Sequence, residues 1–235
     1  MILIDGENFR YSLMNLFPKK FKYLPKLANW FKLLTLPLSD KQELIRIYWY
    51  VVGILHFRPF KIPDSNEELE ELLKKVVFTK LELKRNLDNK DAYLNQKRDR
   101  LKKLKLLMRK RFAEWKEFQD DICHKFDFIE FRYCGSLPYN LLTVRFEREK
   151  GIDIKLATDL LEFRNMTDQT ILFSGDQDYI PAIQVYKDAG KQIFSVNFET
   201  ENGDILPGRS YKLEGMVDKV ITLKHDQINE WIEEF

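Results

Sequence analysis

Cysteine is nearly missing from this sequence: two residues, Cys123 and Cys134, in a chain of 235. That is too few for a disulfide framework or a cysteine zinc knuckle, and it suits a reducing interior. Both flank an apolar run and read as small buried hydrophobes. Histidine is scarce too. His56, His124 and His225 stand apart with no H-E-x-x-H or Cys/His spacing, which argues against a histidine metal site. With nine glycines and eight prolines, collagen-like or low-complexity repetition is excluded. No P-loop and no Gly-x-Ser-x-Gly elbow occurs. Long apolar runs are absent as well. The most apolar stretch, Ile45 to Phe57, contains Arg46 and His56 and falls short of the roughly 20 residues of a membrane helix, so no membrane association is expected. Met1-Ile-Leu-Ile runs straight into Asp5 without a basic leader or a cleavage-like stretch, and a cytoplasmic protein that begins with its fold is the expectation. Finally, net charge is lacking. Thirty-nine Lys and Arg against 37 Asp and Glu give +2, so any attraction to a polyanion must be local.

What is present suffices for a sizeable core: 44% of residues are hydrophobic and 14% aromatic. The runs Ile2 to Ile4, Ile45 to Val52, Phe126 to Tyr133, Thr170 to Phe173 and Gln192 to Phe198 are continuous rather than alternating. They predict strands of a parallel sheet covered on both faces. Among the last of these runs, Ile154, Ala157, Leu160 and Leu161 recur at helical steps, as do Ile180, Ile183, Val185 and Tyr186 less regularly, and Gly190 supplies a stop. Alternating strands and helices indicate an α/β fold. Beyond Glu199, the run Val217 to Leu223 and the trio Ile228, Trp231 and Ile232 predict a last strand and a packing helix.

Between Pro63 and Ile122 the texture changes, with no glycine and long Leu, Lys, Glu and Arg tracts. Leu94, Leu101, Met108, Trp115 and Ile122 fall seven apart, Leu104 and Phe118 lie between them, and Lys97 and Arg111 interrupt that second row. Leu69, Leu73, Val76, Leu83 and Leu87 make a facing stripe, and the polar stretch Asn86 to Asp91 turns the chain. The pattern predicts an antiparallel helical hairpin over 63–122, inserted into a domain made of 1–62 and 123–235. A single long helix used for dimerisation is the alternative. From Lys80 to Arg111 there are 13 Lys or Arg and four acids, a local balance of +9 that leaves −7 for the rest of the chain. Lys102, Lys103, Lys105 and Lys110 are thus candidates for nucleic-acid binding, against the plainer reading of a solvated helix face.

The chemistry-bearing residues fall where open α/β sheets place their sites, at the carboxyl ends of strands. Asp5 ends the first run in Ile4-Asp5-Gly6-Glu7-Asn8, with Asn8 about one turn further on. Asp176 and Asp178 follow another strand in Ser174-Gly175-Asp176-Gln177-Asp178. Asp153 and Asp159 lie on the intervening helix, but six residues place them about 240° apart, so at most one faces the site. Carboxylates gathered this way repel one another, and a divalent cation relieves that repulsion. An oxygen-only donor set favours Mg²⁺ or Mn²⁺ over zinc. Helix capping is the ordinary alternative for Asp5, Asp176 and Asp178.

Three segments together resemble the motifs of NYN domains of the LabA type, relatives of PIN-domain nucleases: Ile4-Asp5-Gly6-Glu7-Asn8, Glu149-Lys150-Gly151-Ile152-Asp153-Ile154, and Leu172-Phe173-Ser174-Gly175-Asp176-Gln177-Asp178-Tyr179-Ile180-Pro181. The likeness covers about residues 1–17, 43–57 and 126–198. It implies a PIN-like three-layer α/β/α sandwich with a mostly parallel sheet and a metal-dependent ribonuclease site. Asp5, Asp153 and Asp176 match the acidic metal positions, Asn8 and Asp178 match polar residues orienting the metal shell, Lys150 matches a basic residue beside it, and Asp159 an acidic position further out. The resulting expectation is a Mg²⁺- or Mn²⁺-dependent enzyme that hydrolyses RNA phosphodiesters with a metal-activated water, Lys150 steadying the phosphate. A catalytically silent NYN-fold module that binds RNA, or a protein or a second copy through the hairpin, is the reading from another class.

Overall fold

The computed structural model describes residues 1–18, 20, 23–206 and 210–232. The expected domain segments 1–62 and 123–235 contain a few residues outside that set. The chain opens with β1 (Ile2–Asp5), α1 (Gly6–Leu16), α2 (Trp30–Thr35) and β2 (Ile47–Arg58). Then come α3 (Asn66–Lys74), α4 (Val77–Arg85), α5 (Lys90–Lys125), β3 (Ile129–Asn140) and β4 (Arg145–Phe146). It continues with α6 (Ile152–Glu162), β5 (Gln169–Phe173), α7 (Ile180–Asp188) and β6 (Gln192–Glu199). The last elements are α8 (Tyr211–Glu214), β7 (Lys219–Lys224) and α9 (His225–Asn229). No described helix is long and apolar enough to cross a membrane.

The strands form one seven-stranded sheet in the order β4-β3-β2-β1-β5-β6-β7. The central strand β1 is parallel to both neighbours, with Ile4 opposite Trp49 on one side and Phe173 on the other. Pairs β5–β6 and β6–β7 are parallel too, and only β3–β4 is described as antiparallel. All four residues of β1 are buried, as a strand covered on both faces requires. Side-chain alternation then assigns the faces. Ile2, Ile4, Trp49, Ile171 and Phe173 join a core with Phe9 and Leu13 of α1, Leu33 and Leu34 of α2, and Ile228 of α9. On the opposite face Tyr48 stacks on Phe163, just past α6, and the Thr170 and Tyr186 hydroxyls share a hydrogen bond of 2.8 Å. The result is the expected mixed α/β architecture, a mostly parallel sheet between helical layers.

The chain divides into two compact units: residues 1–51, 118–134 and 151–235 in the first, 52–117 and 135–150 in the second. The second unit has its own core. Leu94, Leu101 and Met108 of α5 are buried with Leu69 and Leu73 of α3, Leu83 of α4, Phe57 and Tyr139. These three heptad positions are therefore covered by residues of the same unit.

The expected facing arm of the hairpin is not one helix. The backbone is extended at Val76 (φ −115°, ψ 127°), which separates α3 from α4. The buried Thr79 hydroxyl shares its proton between the Leu73 carbonyl and the Val76 carbonyl, which also accepts the Lys80 N–H, so the hydroxyl gives the Leu73 carbonyl a partner at the break. Leu87, expected on the stripe, is exposed in the turn before α5. Strand β3 starts at Ile129 rather than Phe126, because α5 runs on to Lys125 and Phe128 has a positive φ of 66° that no strand adopts. Strand β2 outruns its expected end at Val52. Its last residues alternate between covered and exposed, a pattern that continuity of apolar residues does not register.

Candidate active site

Strand β1 lies between β2 and β5, the neighbours reached by the chain in opposite directions, so the carboxyl ends of β1 and β5 flank a crevice of the kind where open α/β sheets place ligands. Asp5 is the last residue of β1 and the N-cap of α1. Its Oδ1 accepts from the Asn8 backbone N–H at 3.1 Å. Gly6 is required here by close approach: a Cβ at this position would stand 2.3 Å from the Tyr50 carbonyl oxygen. On the β5 side, Ile4 is in register with Phe173, which sets Ser174 beside Asp5. Asp5 Oδ2 accepts from the Ser174 hydroxyl at 3.2 Å and from the Tyr179 hydroxyl at 3.1 Å.

Asp176 follows β5 and caps the short turn that leads into α7. Its Oδ1 accepts from the Asp178 N–H at 3.0 Å, and its own N–H donates to the Ser174 hydroxyl at 3.2 Å. Pro181 then occupies the first turn of α7, where its missing N–H costs nothing. Asp153 sits in the first turn of α6 and accepts from the Ile154 N–H at 2.9 Å. Helix α6 contacts β1, α7 and the Gln177–Tyr179 turn. Each of the three aspartates therefore lies at the start of a helical segment, where the backbone dipole favours negative charge.

Burial dominates the electrostatics. Asp5 is 8% exposed, and removal from water raises its pKa above the ordinary carboxylate value. The bonds from Asn8, Tyr179 and Ser174 oppose that rise, while the charge of Asp176 adds to it. The buried Tyr179 hydroxyl is held protonated well above the usual phenol range, chiefly by burial, then by Asp5, with Asp176 and Asp153 contributing. Tyr179 thus feels all three carboxylates. They fit a hard cation in kind, being oxygen donors with no histidine or cysteine among them, and the repulsion between Asp5 and Asp176 is what a cation would relieve. Among the described residues no group of three or more His, Cys, Asp or Glu is gathered in an arrangement that could hold a metal ion.

The other expected site residues separate. Asn8 acts through its backbone N–H, and Asp178 is exposed, its own N–H held by Asp176. Asp159 is buried with different partners, accepting from Tyr50 at 2.9 Å and pairing with Lys155, as the six-residue spacing from Asp153 anticipates. Lys150 is exposed and belongs to the second unit, where its backbone makes a bridge with Ser136. The four lysines of α5 differ as well. Lys102 stands 3.7 Å from Asp64, Lys110 stands 3.9 Å from Glu114, Lys105 donates to the Phe60 carbonyl at 2.7 Å, and Lys103 lines an open hollow with Glu82 and Lys97. Tyr179 and Ser174 are the contributors that a search for acids passes over. The signal for Tyr179 was its place three residues after Asp176, one turn later on the same segment.

An NYN domain model matches residues 61–206, more than half of the chain. Lys150, Asp153, Asp176 and Asp178 lie inside the matched range, and Asp5 and Asn8 precede it. No curated protein matches the sequence. A crystal structure of a protein of unknown function from Vibrio parahaemolyticus is similar over 94% of this chain and 90% of that one, at 13% identity and a TM-score of 0.43.

Proposed function

The chain belongs to the NYN domain family, and from that premise we propose that it is a ribonuclease of the LabA-like, PIN-related kind that hydrolyses RNA phosphodiester bonds with Mg²⁺ or Mn²⁺. The observation that supports the reading is that Asp5 and Asp176, at the carboxyl ends of the adjacent parallel strands β1 and β5, and Asp153, in the first turn of α6, all raise the pKa of one buried tyrosine, Tyr179. NYN domains are generally nuclease-like hydrolases, and this is the position where such a sheet offers a site.

In this proposal Asp5, Asp153 and Asp176 hold the cation. When bound, the ion lowers the pKa of an attacking water and neutralises charge on the phosphodiester. The protein's own part is positioning. Tyr179, Ser174 and the Asn8 N–H fix both oxygens of Asp5, and capping fixes Asp176. Overall, water adds across a P–O bond, one product keeping the phosphate and the other a hydroxyl. Lys150 enters from its motif alone, as the cation that steadies the phosphate.

A second reading, a silent module, is favoured by one observation: Asp5 already accepts three protein hydrogen bonds, so it has a structural task without any metal. Incubation of labelled RNA with the pure protein separates the two. Cleavage should require Mn²⁺ or Mg²⁺, stop with EDTA, and fall by about 10²–10⁴ in Asp176→Asn, which keeps the cap but loses the charge. An RNA left intact by the metal-supplied wild type would favour the silent module.

A further inference from the structure

Beyond the acidic site, the second unit carries a groove whose chemistry suits a different part of a nucleic acid. One wall is a single face of α5: Lys102, Lys105, Leu106 and Arg109 follow at three- and four-residue steps. The other comes from the end of β2 and the loop after it, with Phe57, Phe60 and Lys61. Phe60 is 84% exposed, an unusual position for a phenyl ring. Lys105 ties the walls together, since its Nζ donates to the Phe60 carbonyl and lies 5.4 Å from the Phe57 ring centre and 5.8 Å from that of Phe60. The Arg109 guanidinium stands 5.8 Å from the Phe57 ring.

Charge complementarity selects the occupant. Four cations line this groove and no carboxylate does. Asp64 does not line it, but stands 3.3 Å from Lys61 and 3.7 Å from Lys102, with 69% of its side chain exposed. Ion pairs so exposed hold weakly and give way to a polyanion. Partial burial and the neighbouring Arg109 also lower the pKa of Lys105, as expected where positive charge is crowded. Cations beside an accessible aromatic face are the two components of single-strand recognition, phosphates on the charges and a base on the ring. A duplex keeps its bases stacked inside and offers Phe60 nothing.

We infer that this groove binds single-stranded RNA, with a base stacked on Phe60 and the flanking phosphates held by Lys102, Arg109 and Lys61. The inference rests on the RNA reading of the acidic site but names a separate surface. It also divides the lysines of α5: Lys102 and Lys105 line the groove, whereas Lys103 and Lys110 do not.

Fluorescence anisotropy of the full chain in EDTA, with a labelled 12-nucleotide single strand, the matching duplex, and polyphosphate as competitor, tests it without any need for cleavage. Phe60→Ala should weaken single-strand binding about tenfold, leave the salt dependence as it was and leave duplex binding unchanged. Lys102→Gln with Arg109→Gln should flatten the slope of log affinity against log salt by about 1.4. These side chains are exposed, and unchanged melting temperatures would confirm intact folds. If both variants bind the single strand like wild type, the inference is overturned. It is equally overturned if Phe60→Ala is silent and the charge variant loses single strand, duplex and polyphosphate alike, since that describes a general polyanion patch. Failure of the nuclease reading looks different: no Mn²⁺-dependent cleavage, with the Phe60 effect still present.

Discussion

In the first unit, Asp5 at the end of β1 is buried against the Tyr179 hydroxyl and feels the charge of Asp176 after β5. In the second, ammonium and guanidinium groups are spread along an exposed helix face beside a phenyl ring. The contrast is one of solvent. Asp5 has lost nearly all its water and depends on three protein donors, so changes around it act on stability and on its protonation together. Lys102 and Arg109 keep their water, so changes there should leave stability alone and act on affinity and its salt dependence.

The strongest way to break the comparison is to remove one donor from the buried carboxylate. Tyr179→Phe leaves the ring in place and deletes the hydroxyl bonded to Asp5. Loss of a hydrogen bond to a buried charged group costs about 1.5–3 kcal/mol, which urea unfolding should register, and RNA hydrolysis should fall with it.

A smaller effect follows from Asp5 itself. Because burial raises its pKa, there is a pH range above the unfolded value in which the folded chain binds a proton that the unfolded chain has released. The stability gained from that proton is complete below about pH 4, the unfolded value, and is lost as the pH rises through the higher folded value. In metal-free buffer, Asp5→Asn should therefore melt above wild type at pH 7, by about 2–4 °C per kcal/mol, and the gap should close as the pH falls toward 4. Melting curves in EDTA between pH 4 and 8 measure it, and a gap independent of pH would remove Asp5 as a strained carboxylate.

The smallest effect sharpens the other side. Lys103→Gln and Lys110→Gln, off the groove, should change single-strand affinity by less than about twofold and stability by less than about 0.5 kcal/mol. A loss equal to that of the Lys102 and Arg109 pair would spread the binding surface around the whole helix.

How much of this was legible in the sequence depends on how local each signal is. The strand-end positions of Asp5 and Asp176 could be read because each follows a short apolar run and a glycine lies beside it. The alternation of strands and helices gave the architecture for the same reason. Tyr179 was hidden because its part depends on a turn that brings its hydroxyl to Asp5, 174 residues earlier. Phe60 was hidden similarly. The basic segment holds no aromatic row, and the ring beside Lys105 comes from 45 residues upstream, which only the fold of the second unit reveals. The break at Val76 between α3 and α4 was invisible because apolar residues at helical spacing continue across it, while the Thr79 hydroxyl bonds the Leu73 carbonyl.

Titration calorimetry of Mn²⁺ into wild type and Asp176→Asn tests the proposed divalent-cation site at Asp5, Asp153 and Asp176. Wild type should release or absorb heat with saturation at or below millimolar Mn²⁺, its melting temperature should climb with Mn²⁺ by mass action, and Asp176→Asn should lose both responses. Absence of heat and of any melting shift in wild type at millimolar Mn²⁺, or equal binding by Asp176→Asn, would contradict it.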